Sequence, residues 1–150
     1  MPIATGVAFG DMNIGKDVAV DITLTNGQTL RIGNITMFDR KPKVKKLQSL
    51  GIDGVPRNAV IPEGWILTFE ADRQNSDADD WWAAYEEAYF AGETVRNATV
   101  TETISETDGS LSQYRYEGVA LHFNDAGQFK SDGFVKVKFE GEASFRKKVV

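Results

Sequence analysis

Residues 113–145 read QYRYEGVALHFNDAGQFKSDGFVKVKFEGEASF, and apolar and polar residues alternate through most of the stretch. In its first part Val119, Leu121 and Phe123 share one side. In its last part Val135, Val137, Phe139, Ala143 and Phe145 do, each apolar residue separated from the next by a polar one. A period of two sends successive side chains to opposite faces, so both parts are expected to be half-buried strands. Asn124, Asp125, Ala126 and Gly127 between them are turn residues. The far side of the last strand carries Lys136, Lys138, Glu140, Glu142 and Ser144, a charged stripe longer than a simple solvent cover requires. A long hairpin with such a face is material for a wall or a channel.

The same alternation appears upstream. A strand beginning near Val95 is expected to join this hairpin through the turn Asp108-Gly109. Residues 17–25 place Val18, Val20, Ile22 and Leu24 opposite Asp17, Asp21, Thr23 and Thr25. Asn26-Gly27 follows at once, the signature of a two-residue type I′ turn, with Leu30, Ile32 and Ile35 on the returning strand. A further strand puts Trp65, Leu67, Phe69 and Ala71 on one face.

Ser76 is a candidate N-cap, and Asp77, Asp79 and Asp80 follow in the first turn, where exposed amides and the helix dipole favour carboxylates. A helix over 76–92 stops at Gly92 and is aromatic along one broad side through Trp81, Trp82, Tyr85, Tyr89 and Phe90. It is expected to plug an open end of the sheet. Residues 1–16, with three glycines, one proline and no regular period, read as an arm. Residues 37–64 read as a long loop, because Pro42, Pro56, Pro62, Gly51, Gly54 and Gly64 interrupt every element that could form there. The expected fold is a single, mainly β domain over 1–150, an antiparallel sandwich or barrel with one packed helix.

Composition narrows the function. The 150 residues are 41% hydrophobic and 26% charged, which suits one folded domain. Cysteine is absent, which removes disulfides, thiol nucleophiles and thiolate metal sites. No basic stretch followed by a long apolar run opens the chain, and nothing reaches the length of a membrane span, so neither signal peptide nor membrane insertion is expected. The default is a cytoplasmic soluble protein, in which Asn34-Ile35-Thr36 and Asn97-Ala98-Thr99 are chance sequons. The net charge of −5 argues against gripping nucleic acid over a broad surface.

No motif points to catalysis. Residues 10–17, GDMNIGKD, match a phosphate-binding loop until Asp17 replaces the Ser or Thr that would hold magnesium, and a strand rather than a helix follows. His122, the single histidine, lies among apolar residues of a strand and reads as structural. The three aspartates of the helix start lack the ligand spacing and glycine of a calcium loop. No catalytic residue, cofactor or metal is assigned.

Charge is instead divided along the chain. Residues 40–46, RKPKVKK, hold five basic residues and Arg146, Lys147 and Lys148 three more, whereas 70–80 holds five acids against Arg73. Solvated loops and lysine-guarded edges account for this by themselves. The long loop shifts the balance, because Val44, Leu47, Leu50, Ile52, Val55, Val60 and Ile61 need an apolar partner that a neighbouring subunit can supply.

With its arm, alternating strand and hairpin, long punctuated loop, helix after the strand at Trp65, and terminal hairpin 116–147, YEGVALHFNDAGQFKSDGFVKVKFEGEASFRK, the chain resembles a bacteriophage tail tube protein of the contractile-tail type. The resemblance implies a small β-sandwich whose strands join those of five neighbours into a hexameric ring with a 24-stranded inner barrel. Such rings stack into a conduit for DNA ejection. It further implies a virion protein assembled in the host cytoplasm, with copies of itself, sheath, baseplate and tail-terminator proteins as partners. Double-stranded DNA passes without specific binding, and no membrane is involved. Contacts between subunits and rings are expected at Arg40, Lys43, Val44, Lys46, Leu47, Leu50, Ile52, Val60, Ile61 and Arg146. The lumen face is expected at Asp17, Asp21 and Thr23, or at Glu140 and Glu142. Two other readings stand beside this one. The first is the inner tube of a phage-like secretion system or bacteriocin. The second is a monomeric β-barrel that binds a small apolar ligand through Trp65, Trp81, Trp82 and Tyr85.

Overall fold

The alternating stretches pair into one antiparallel sheet of eight strands in the computed structural model, which describes residues 18–24, 27–30, 34–94 and 97–149. In chain order the elements are β1 (Val18–Thr23), β2 (Thr29–Leu30), β3 (Asn34–Leu50), β4 (Pro56–Asp72), α1 (Asp77–Phe90), β5 (Ala98–Ser105), β6 (Leu111–Asp125), β7 (Lys136–Ala143) and β8 (Phe145–Lys148). Their order across the sheet is β2-β1-β5-β6-β7-β4-β3, with β8 against β6, and the sheet does not close. The expected arm over 1–16, with Asp17, Asn26, Ile32 and Val95, lies outside the described residues.

The sheet folds over so that β3 and β4 face β5 and β6. Trp65 and Phe38 both meet the ring of Tyr116 edge-on, at 5.9 and 6.4 Å. At the centre of the inner face one cross-strand row carries four phenylalanines: Phe38 pairs with Phe69, Phe69 with Phe139, and Phe139 with Phe123. The outer pairs stack at 4.9 and 4.5 Å. α1 covers the free end of this row, with Trp81 against both Phe123 and Phe139 and Trp82 against Phe123. The helix begins at Ser76 as expected, but the capping differs. The Ser76 hydroxyl bonds Asp80, and the side-chain oxygen of Asn75 accepts the Asp77 amide at 3.0 Å. At the other end Gly92 and Glu93 donate back to Tyr89 and Ala88, the paired bonds of a Schellman stop.

Three expectations are corrected. Residues 37–64 are not a loop: β3 and β4 pair from Asn34↔Asp72 to Leu50↔Pro56, closed by a short turn. Beyond Trp65 no other strand among the described residues pairs with this hairpin, so 43–63 is a two-stranded ribbon. Its prolines are tolerated because each strand there has an open edge on which a missing N–H costs nothing. With both faces in solvent, the ribbon has no alternation to read. The first hairpin also turns one residue wider than a type I′ turn, since the Leu24 amide donates to Gln28 and the Gly27 amide to Leu24. Finally, Phe145 is exposed. The strand breaks at Ser144, whose amide donates to Glu117, and the break exchanges the faces so that Arg146 turns inward in place of Phe145.

That break meets an irregularity in β6. Val100 pairs with Tyr116 and Ala98 with Val119, so β6 carries one extra residue at Gly118, in the left-handed region at φ +65°. The bulge lets one strand serve both halves of the sheet, β5 and β8 before it and β7 after it. A Cβ at position 118 would lie 2.8 Å from Ser144 Oγ and 3.2 Å from Ser144 Cβ. Gly118→Ala should therefore lower unfolding stability by about 1–2 kcal/mol from the backbone alone, more with the clash. Urea denaturation with an unchanged m-value checks it.

Candidate assembly surfaces

Within the sheet, β6-β7-β4-β3 form a four-stranded unit with two open edges. Among the described residues β3 pairs only with β4, and residues 120–125 of β6 only with β7. The outer face of the unit is polar, because Phe38, Leu67, Phe139 and Leu121 take the inward positions and leave the alternate ones to solvent. One outer row holds Asp39, Thr68, Glu140 and His122, with Glu142, Ile66 and Lys41 on the next. His122 is thus exposed opposite Glu140, not set among apolar neighbours. The charges largely meet each other: Lys136 reaches Glu70 and Asp72 at 3.8 and 3.6 Å, Lys43 reaches Glu142 at 3.9 Å, and Lys41 reaches Asp39 at 3.6 Å.

The two groups of lumen candidates fall on different halves of the sheet. Glu140 and Glu142 lie on the outer face of the four-stranded unit. Asp21 and Thr23 lie on β1, outward beside Thr101 and Thr99 of β5, on the other half.

The ribbon gathers most of the contact candidates. Lys43, Val44, Lys46, Leu47 and Leu50 stand on β3, Val60 and Ile61 on β4, and Ile52 in the turn. Val44, Lys46, Val60 and Leu50 share one face with Pro62 and Pro56, while Ile61, Leu47 and Lys45 share the other with Ala59. Val60 is 60% exposed and Ile61 43%. The ribbon leaves the sheet at Gly64, at φ +117°, where a Cβ would run into the Ala143 carbonyl of β7.

Arg40 and Arg146, also expected as contacts, are engaged within the chain. Arg40 forms an ion pair with Glu102 of β5, the buried charged side chain of the core. Arg146 lies between aromatic rings, 3.6 Å over Tyr114 and 4.5 Å over Trp65. The hydroxyl of Tyr116 is buried beside this cluster. Sequence reasoning missed Glu102, although its place between Val100 and Ile104 on the apolar parity of β5 was the signal: an acid on a buried face needs a cation.

Burial raises the Glu102 carboxyl above its ordinary 4.5, and the nearby charges of Arg40 and Arg146 offset that only in part. A raised carboxyl binds its proton more tightly in the folded chain. Its contribution to stability is complete below the unfolded value and is lost as pH rises through the folded one. Glu102→Gln has no such proton to bind, so it should gain stability relative to the parent chain as pH rises from below 4.5 toward neutrality. Urea midpoints measured across that range read the difference, and the opposite slope would mean that the arginines dominate.

Among the described residues no helix is long and apolar enough to cross a membrane. No protein-family model and no curated protein sequence matches the chain. Solved structures do. A chain in the anti-feeding prophage tube-terminating cap superposes with TM-score 0.61 at 8% identity, covering 97% of this chain and 99% of that one. A chain of the sheath/tube terminator of an extracellular contractile injection system, in its extended state, gives 0.59 at 9% identity over 87% and 93%. A chain in the tail of an empty gene transfer agent particle, refined with C6 symmetry, gives 0.55 at 13% identity over 93% and 100%. The chain therefore has the mainly β fold found in components of phage-like tails and contractile injection systems.

Proposed function

We propose that this chain is a non-enzymatic structural protein that joins edge to edge into hexameric rings. The rings stack into the tube of a phage tail, through which DNA passes on ejection. The observation that carries this is the four-stranded unit with both edges open. Its strands alternate in direction, so β3 at one edge runs opposite to β6 at the other. A neighbour's β6 therefore meets β3 antiparallel, and the alternation continues around a ring of any number of copies. Six copies of four strands make 24, and six-fold symmetry was applied to the gene transfer agent tail. Barrels of about 16–18 strands already leave an aqueous channel. Ring closure also removes the exposed edges, which otherwise invite uncontrolled pairing.

In such a ring the outer face of the unit looks into the lumen. Glu140 and Glu142 would line it with Asp39 and His122, whereas Asp21 and Thr23 would face outward on the other half. The ion-paired lysines on this face offer no basic groove to phosphates, which suits a wall that DNA slides past. The ribbon 43–63, with apolar side chains on both faces, would reach the next subunit or ring. Sheath, baseplate and terminator proteins are the further partners this reading requires, in a virion tail assembled in the host cytoplasm. The same geometry would serve the inner tube of a contractile injection system. A monomeric ligand-binding barrel is less well supported, since Trp65, Trp81, Trp82 and Tyr85 pack against other rings.

Negative-stain microscopy of the purified protein is the direct test, and rings or rods with a central hole are expected. Replacing Val60 and Ile61 together by Asp should abolish them while leaving the circular-dichroism spectrum unchanged. Loss of the folded spectrum would instead place those side chains in the core of the monomer.

A further inference from the structure

We infer that the cleft between β1 and β3 of one copy receives the aromatic side of α1 from the adjacent copy, as a second layer behind the joined strands. The inference rests on the edge-joined ring proposed above and adds a partner surface to it. The cleft, about 410 Å³, lies where the sheet fails to close. Val18, Val20, Ile35 and Phe38 form apolar walls, and Arg40 and Glu102 meet at a polar end.

Three placements select α1 as the occupant. The first is lateral. Trp81 touches Phe139 and Phe123, but Trp82 touches Phe123 alone, so Trp82 sits on the side of α1 nearer the open edge of β6. Tyr85 stacks on Trp82 at 5.1 Å, and Tyr89, four residues further along the same side, is 58% exposed. The second is level, because Phe38 at the cleft and Phe123 under α1 belong to the same cross-strand row. The third is layer: α1 and the cleft both lie on the inner face of the unit, and continuing the sheet from β3 into a neighbour's β6 keeps that face on one side. A neighbour joined at β3 thus brings its Trp82, Tyr85 and Tyr89 beside the cleft. Rings with an apolar body and a polar tip match apolar walls that end in a carboxylate and a guanidinium.

The chain has no cysteine, so single introduced thiols report contacts directly. Val18→Cys, on a wall of the cleft, and Tyr89→Cys are prepared separately, mixed, assembled into rods verified by microscopy, and treated with a short bis-maleimide. Asp39→Cys mixed with His122→Cys reports the strand pairing itself. If Tyr89→Cys folds but prevents rods, Phe90→Cys, at the next residue and 82% exposed, replaces it. Cross-linked dimers in both mixtures, and in none of the single variants alone, are the expected result. Dimers from the strand pair without dimers from the cleft pair would overturn the helix-in-cleft contact while leaving the ring standing. Rods in which neither pair links would overturn both.

Discussion

The row of phenylalanines Phe38–Phe69–Phe139–Phe123 is the interaction on which the rest of the molecule depends. Each ring removed from water contributes about 1.5–3 kcal/mol, and each stacked pair adds about 0.5–1.5 kcal/mol. The two central rings are fully buried, while the two end rings are only partly covered. Those end rings lie on β3 and β6, the strands with open edges. Among the described residues, backbone pairing and core are therefore both open at the same two places.

The row also sets how the chain covers its own inner face. β6 cannot serve both halves as a straight strand, and the bulge at Gly118 re-aims it from β5 to β7. Where the last strand crosses that bulge, Ser144 breaks the alternation and sends Arg146 inward onto Trp65 and Tyr114. Two guanidiniums then flank the buried Glu102, one from β3 and one from β8. A buried carboxylate in this position ties the base of the ribbon and the last strand to the middle of the sheet. The open edge is thereby held in a defined place.

The ribbon follows different rules. An isolated two-stranded hairpin is marginal in water, and this one carries exposed valines, leucines and isoleucines. Its base is anchored through Trp65 and Arg40, and its tip is held by its own cross-strand pairs, the Asp53–Arg57 ion pair at 3.1 Å and the Val55 amide donating to Asp53 at 3.0 Å. Such an element leaves apolar surface in solvent. The acidic, aromatic far end of α1, where Phe90 stands in solvent, shares that property.

Local pattern alone was enough to identify β1, β5, β6, β7, the end of β4 and α1, because one face of each meets the core and the other meets water, and that contrast writes a period into the residues. Glu140 and Glu142 on a common polar face followed from the same period. The ribbon was illegible because neither of its faces meets a core, so prolines and glycines remained the loudest signal and read as a loop. The inward turn of Arg146, the pairing of Arg40 with Glu102 and the separation of Asp21 from Glu140 were decided only in three dimensions. Each depends on a bulge, a break or a fold of the sheet, as where Arg40 meets Glu102, 62 positions away, and a period read along one strand carries no record of what lies across the core.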